Sequence, residues 1–270
     1  MSQSWRSTFP EQFPDFKLYR KMNIRLKATA AHVAFSALLA IVSAILVFKY
    51  WYPNQYREVS GGLELFLILV SVDIALGPLL TFVIANPVKA RHILKVEVVI
   101  ICVLQISALI YGMHTVYIAR PVVTVFEVDR FRVLAPDQID TSEFNDPGIQ
   151  YKSLSITGPR LLGARRPQSR VESNDALFKA VEGFDIGQRP RFWQPYQKSS
   201  VDALAKSRSV QVLLDRYPSE AQKLAAKMRE LNINPEKSRF LPVNARGDWV
   251  AVLDELGQFK GFLPVDGFFK

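Results

Sequence analysis

The chain has one cysteine and three histidines in 270 residues. Cys102 lies inside an apolar run, so no intrachain disulfide can form. His32, His92 and His114 all precede residue 121, and the remaining 150 residues contain neither histidine nor cysteine. That part therefore lacks the ligands of a Cys/His zinc site, the base of a Ser-His-Asp triad and both members of a Cys-His dyad. It also has no glycine loop of the phosphate-binding kind. Chemistry there would rest on carboxylates, lysines or tyrosines. Twelve basic and six acidic residues precede Pro121, while twenty-two basic and nineteen acidic residues make up the rest, so the net charge of +9 divides into +6 and +3. Positive charge beside apolar spans is a topology signal. A nucleic-acid binder carries its excess on a folded domain, so no nucleic-acid partner is expected.

Three long apolar runs account for the mean hydropathy of +0.08. Residues 28–48 carry no formal charge, residues 65–85 carry only Asp73, and residues 98–119 have Gln105 and His114 as their most polar members. Each meets the roughly 20 residues needed to cross a hydrocarbon core. The first run is followed by Lys49-Tyr50-Trp51-Tyr52-Pro53, bulky residues where signal cleavage needs small ones, and it reads as an uncleaved anchor. The expected organisation is a tail over 1–27, a three-helix membrane domain over 28–119, and an α+β domain over 121–270. Arg6, Lys17, Arg20, Lys21, Arg25 and Lys27 in the tail, and Lys89, Arg91 and Lys95 between the second and third spans, outnumber Lys49, Arg57 and Arg120 on the other side. The tail is expected in the cytoplasm and residues 121–270 outside it, in the periplasm of a two-membrane cell. Trp5, Phe9, Phe13, Phe16 and Tyr19 give the tail some affinity for headgroups, but Pro10 and Pro14 argue against one clean helix and for a mostly unordered segment.

In the outer part, residues 122–134 read as one strand whose apolar phase switches near Asp129-Arg130, as at a bulge. Residues 136–170 show turn chemistry and weak helix signals. Val210, Leu213, Leu214 and Tyr217 share one face of a helix expected over 201–217, and Ala221, Leu224, Ala225, Met228 and Leu231 share one face of the next. The end reads as a three-stranded antiparallel meander over 240–244, 249–254 and 259–265. Pro242 and Pro264 suit outer strands, and Arg246-Gly247-Asp248 suits a turn.

Asp73 is the costliest residue, since a mid-span carboxylate disfavours insertion by roughly 2.5–3.5 kcal/mol. Gly77 and Thr81 follow on its face, and Pro78 removes a backbone bond and is expected to kink the helix. The four form a candidate polar notch that either packs internally, against Gln105 or His114, or receives a guest. Ser36, Ala40 and Ala44, and likewise Ala108 and Gly112, allow close helix approach. Trp51, Arg57 and Glu64 in the outer loop are candidates for a rim that meets a guest leaving the membrane.

The run Trp51-Tyr52-Pro53 with Tyr56-Arg57-Glu58, Ser60-Gly61-Gly62, Val72-Asp73, Gly77-Pro78-Leu79-Leu80-Thr81, Asn86-Pro87, the segment from Phe126 to Val133 (FEVDRFRV), Trp249 and the closing Gly261 to Asp266 resembles the type IV pilin accessory family (TfpX/TfpZ-like). The likeness covers about Lys27 to the C-terminus. It implies a non-enzymatic inner-membrane accessory or chaperone protein of pilus biogenesis, without a cofactor. Its partners would be the lipid bilayer and a cognate type IV major pilin, whose apolar N-terminal helix begins with a positive amine. A homo-oligomer is left open. The rivals are a pilin-modifying enzyme and a membrane sensor. Against the first stands the missing histidine and cysteine, and against the second a tail of 27 residues, short for an output domain.

Overall fold

A computed structural model describes residues 14–84 and 90–269; Trp5, Phe9, Phe13, the Asn86-Pro87 pair and Lys89 lie outside them. The chain divides into two compact units, Met1–Ala44 with Phe66–His114, and Ile45–Leu65 with Thr115–Lys270.

The first unit is built on three long helices, α1 (Pro14–Ile45), α3 (Gly62–Ile84) and α4 (Arg91–Ile118). Three stretches are long and apolar enough to cross a membrane: Leu26–Trp51, which runs past the end of α1, Gly62–Ile84 and Lys95–Ile118. This is a multi-pass membrane protein. Leu38, Ile68, Val83 and Leu104 are among many large apolar side chains left exposed on them, as lipid-facing surfaces require. Residues 14–27, expected to be unordered, instead form the start of α1. Pro14 opens the helix rather than breaking it, because the fixed φ of proline suits the first turn, where its missing N–H is not needed. At its far end α1 widens into a π-helical turn, Leu46–Trp51, closed by the Tyr52 N–H donating to the Val47 carbonyl at 2.8 Å. α3 runs on through Pro78, which leaves the carbonyl one turn earlier without its usual donor.

The second unit is α+β. Its eight strands are β1 (Val123–Glu127), β2 (Arg130–Leu134), β3 (Arg160–Ala164), β4 (Trp193–Pro195), β5 (Arg208–Ser209), β6 (Arg239–Ala245), β7 (Gly247–Leu253) and β8 (Phe259–Leu263). They form one mixed sheet in the order β4-β3-β1-β2-β6-β7-β8, with β5 also pairing with β6. The helices are α2 (Tyr56–Val59), α5 (Arg170–Val181), α6 (Ser200–Lys206), α7 (Gln211–Arg216) and α8 (Ala221–Glu230).

Three local expectations change. The strand expected over 122–134 is a hairpin: Val128 and Asp129 form its turn, and Glu127 pairs with Arg130. The phase switch records a change of strand, not a bulge. The helix expected over 201–217 is broken at Ser207, whose hydroxyl and carbonyl both accept from the Arg239 guanidinium. Arg208 and Ser209 then pair with Phe240 and Arg239, turning Val210 into the core. The meander forms, with Val250 opposite Pro242 and Ala251 opposite Phe262, but β6 is an inner strand. Pro242 is tolerated because it falls between the stretch facing β5 and the stretch facing β2.

One side of the sheet buries Phe126, Phe131, Tyr196, Leu241, Trp249 and Phe262, with Phe131 touching Tyr196 and Phe259 through tilted rings. α7 and α8 cover another part through Leu213, Leu224 and Met228, packed with Phe240, Val250 and Leu263.

Candidate partner-binding site

Two groups of side chains stand out, one in each unit. In the membrane unit a polar cluster joins all three helices. The Thr81 hydroxyl lies 2.6 Å from Nδ1 of His32, and Nε2 of His32 bonds Oε1 of Gln105. Both ring nitrogens of His32 are thus engaged, one by each neighbouring helix. Nε2 of Gln105 donates onward to the Asp73 main-chain carbonyl at 3.2 Å. Gly77 makes this possible: a Cβ there would stand 1.8 Å from the Gln105 amide nitrogen. His32 and Thr81 are buried.

Of the residues expected to form the notch, Gly77 and Thr81 are therefore occupied by partners from the same chain. Gln105 is the internal partner the sequence suggested, but it binds the Asp73 backbone rather than its carboxylate. The Asp73 side chain instead lines a narrow cleft with Phe35, Ser36, Leu39, Ala40, Val70, Gln105 and Leu109. The cleft holds about 10 Å³, room for about one water. Among the described residues, no hydrogen bond or ion pair reaches the carboxylate. His32 was not singled out from the sequence. Its signal was available, since a histidine in an apolar span needs partners for both ring nitrogens.

In the second unit the loop between the first two apolar helices, residues 52–61, is a folded plug on the sheet. Tyr52 is fully buried, and its hydroxyl donates to the Val116 carbonyl at 2.9 Å; burial raises its pKa. The Tyr56 hydroxyl accepts from Thr124 at 2.9 Å, and burial pushes its pKa up to about 12. Gln55 acts on β8 as a strand would. Its amide nitrogen donates to the Phe262 carbonyl at 2.7 Å, and its amide oxygen accepts the Phe262 N–H at 2.8 Å. A sheet edge is thus covered.

Trp51 packs edge-on against Tyr117 with centroids 5.0 Å apart. Glu64 pairs with Arg246 at 3.0 Å, and the Arg246 side chain lies against Gly61, whose φ of +68° suits glycine. Arg57 makes a 3.6 Å pair with Glu58 on an exposed surface, worth little. Arg120 stacks on Tyr117 at 3.7 Å and donates to the carbonyls of Tyr117 and Ser155; burial lowers its pKa. None of Tyr52, Gln55 or Arg120 was singled out as a site residue, because their partners are distant in sequence.

Two buried carboxylates of the second unit, Glu127 and Glu143, are held by arginines. Glu127 is buried between Arg132 at 2.7 Å and the Gly187 N–H at 2.9 Å. Arg189, fully buried, bonds Glu143 at 2.6 Å and Asp175 at 2.5 Å. Among the described residues no group of three or more His, Cys, Asp or Glu could hold a metal ion.

Comparison with known proteins bears on what these clusters serve. Residues 20–61 match the family described as Fimbrial assembly protein FimB. The chain is 32% identical over 246 residues to "Fimbrial assembly protein, serogroup I" of Dichelobacter nodosus, covering 90% of this chain and 95% of that protein. It is 31% identical, with the same coverage, to the serogroup E1 protein of that organism. It is 39% identical over 113 residues to the protein of serogroups C1 and C2, 42% of this chain and 86% of the other. No solved structure matches. The chain belongs to the fimbrial assembly protein family.

Proposed function

We propose that this protein is an inner-membrane assembly factor that binds a cognate type IV pilin in the bilayer and holds it before or during its incorporation into a pilus. Kinship along nine-tenths of the chain with fimbrial assembly proteins supports a role in pilus assembly. The observation that carries the binding step is Asp73. Every other polar group of the membrane cluster has a partner, whereas this carboxylate opens on a cleft edged by the small residues Ser36 and Ala40. An unpartnered carboxylate in a span is expensive and marks a functional group. Its complement is a cationic or hydrogen-bond-donating group on an apolar helix, the chemistry the family resemblance assigns to a pilin.

The excess of Lys and Arg before the first span and between the second and third favours a cytoplasmic N-terminus and a periplasmic second unit. A non-enzymatic role fits carboxylates that are engaged by arginines. The test is Asp73→Ala and Asp73→Asn in the full chain, with pilin co-purification from native membranes as the readout. The alanine variant should insert normally, lose most of the bound pilin and reduce piliation; the asparagine variant, which keeps hydrogen bonding, should be milder. Wild-type co-purification and piliation in both variants would show that Asp73 serves packing alone.

A further inference from the structure

The three apolar stretches each have one end in the second unit, at Trp51, Gly62 and Ile118, and alternate crossings put those ends at one face of the bilayer. Trp51 and Tyr117, with ring centroids 5.0 Å apart, and Tyr50, 44% exposed, form the aromatic belt expected at that level. A loop distant in sequence is fastened to them. The Arg120 guanidinium, stacked on Tyr117, donates to the Ser155 carbonyl at 3.2 Å. Gly158 lies so close to the end of the first span that a Cβ there would stand 2.8 Å from the Pro53 ring and 3.9 Å from the Tyr50 carbonyl oxygen. Between these two fastenings Ile156 is 66% exposed, and Lys152 and Thr157 on the same loop are exposed as well.

A single exposed isoleucine is ordinary on a water-facing loop; position and charge distinguish this one. Residues 46–56, 115–126 and 148–160, which meet here, contain Lys49, Arg120, Lys152 and Arg160 and no aspartate or glutamate. Arg160 opens β3 opposite Val123, the first residue of β1, and so lies at the same end of the sheet. Of the acids that border these segments, Glu58, Glu64 and Asp146 pair with Arg57, Arg246 and Arg191, and exposed Asp137 stands against four cations. Basic residues around an apolar tip suit the surface of an anionic bilayer, with the cations on phosphates and the apolar side chain below them. One apolar side chain is too little for a protein interface, whereas lipid needs no matching surface. We propose that residues 152–160 form a lipid-contacting loop: Ile156 enters the headgroup layer of the leaflet at which the first span ends, and Lys152 and Arg160 meet phospholipid phosphates.

So few groups would bind a bilayer only marginally if the loop were free in solution. Here the spans already hold it at the membrane, so the contact is intramolecular in effect and does not bear the cost of association. Because the phosphates are met at the membrane surface, the contact strengthens with the share of anionic lipid and weakens with salt.

The experiment uses the full chain with Cys102→Ala and Thr157→Cys, which keeps Ile156 and Lys152 in place. The cysteine is labelled with an environment-sensitive nitrobenzoxadiazole maleimide, and the protein is reconstituted in vesicles of equal parts phosphatidylcholine and phosphatidylglycerol. Lipids carrying a nitroxide at headgroup level should quench most of the emission. They should quench little of it from Asp129→Cys, exposed in the turn at the far end of β1. Adding Lys152→Glu, a change of two charges at about fivefold each in the docked-to-free ratio, should relieve the quenching, as should Ile156→Asp. Both side chains are exposed, so the amount of reconstituted protein should stay unchanged. The proposal is overturned if position 157 is quenched no more than position 129, or if neither charged substitution relieves the quenching. It is also overturned if position 157 is shielded from water only when pilin is co-reconstituted, which would make the guest the occupant.

Discussion

Val128 shows how one residue can stand against its own conformational preference. It occupies the hairpin turn with φ +52°, and the Asp129 N–H donates to the Glu127 carbonyl at 2.6 Å across it. For a β-branched side chain the left-handed region is an outlier, and such conformations cost of order 1–3 kcal/mol. The side chain is half exposed, so little packing offsets that cost. Val128→Gly is expected to stabilise the second unit by about 1 kcal/mol after the added freedom of the unfolded chain is deducted. A raised urea midpoint with unchanged slope for the full chain in detergent would show it; a lowered midpoint would mean that the valine contributes packing. The turn residue was visible in the sequence, where the apolar phase slips at Asp129, but a slip does not distinguish a bulge from a hairpin. Glu127 opposite Arg130 does.

At the scale of an element, α5 is attached mainly by charge. The Arg165 guanidinium, followed by the Gln168 N–H, holds the Glu172 carboxyl down at about 2, against an ordinary value of 4.5. Asp175 is held below its ordinary value first by the hydrogen bond from Arg189. Both folded-state values are depressed, so the stabilisation is complete above the unfolded carboxylate range and is lost as pH falls through the folded values. Between about pH 4.5 and pH 2, the α5 amides should lose hydrogen-exchange protection, corrected for intrinsic rate, while β6 and β7 keep theirs. Simultaneous loss in both elements would indicate a globally acid-labile unit instead. Spacing in the sequence marks α8, whose Leu224 and Met228 are buried, and does not mark α5. Periodicity reports where apolar residues recur, not whether they face a core, and α5 turns its apolar residues outward.

For the whole molecule, the meander and the loop over residues 52–61 depend on each other although nearly two hundred residues of chain separate them. Gln55 pairs with Phe262, and Arg246 donates its N–H to the Val59 carbonyl at 3.2 Å. Truncation before Trp249 removes most of β7 and all of β8. It takes Trp249 and Phe262 from one core cluster and Val250, Val252 and Leu263 from another, and leaves Gln55 without its strand. Losing one core aromatic costs about 3–5 kcal/mol, against about 5–15 kcal/mol for the stability of a whole domain. The truncated protein should be degraded and be absent from membranes by immunoblot. Stable accumulation would show that the meander is an appendage.

The sequence by itself determined the three membrane helices, because apolar length acts locally and residues 28–48, 65–85 and 98–119 leave no charged side chain but Asp73 to bury. It determined the α+β character of the remainder through alternation in the last thirty residues and helical spacing over 221–231. Asp73, Gly77 and Thr81 were legible as a group for the same local reason. Tertiary structure alone decided what each of them meets: His32 for Thr81, Gln105 for the space left by Gly77, and no described partner for the Asp73 carboxylate. It also decided that residues 52–61 pack on the sheet of the second unit. Hydrogen bonds such as Gln55 to Phe262 and Tyr56 to Thr124 join groups 207 and 68 residues apart. No periodicity encodes such pairs, because they exist only once packing has brought the chain back on itself.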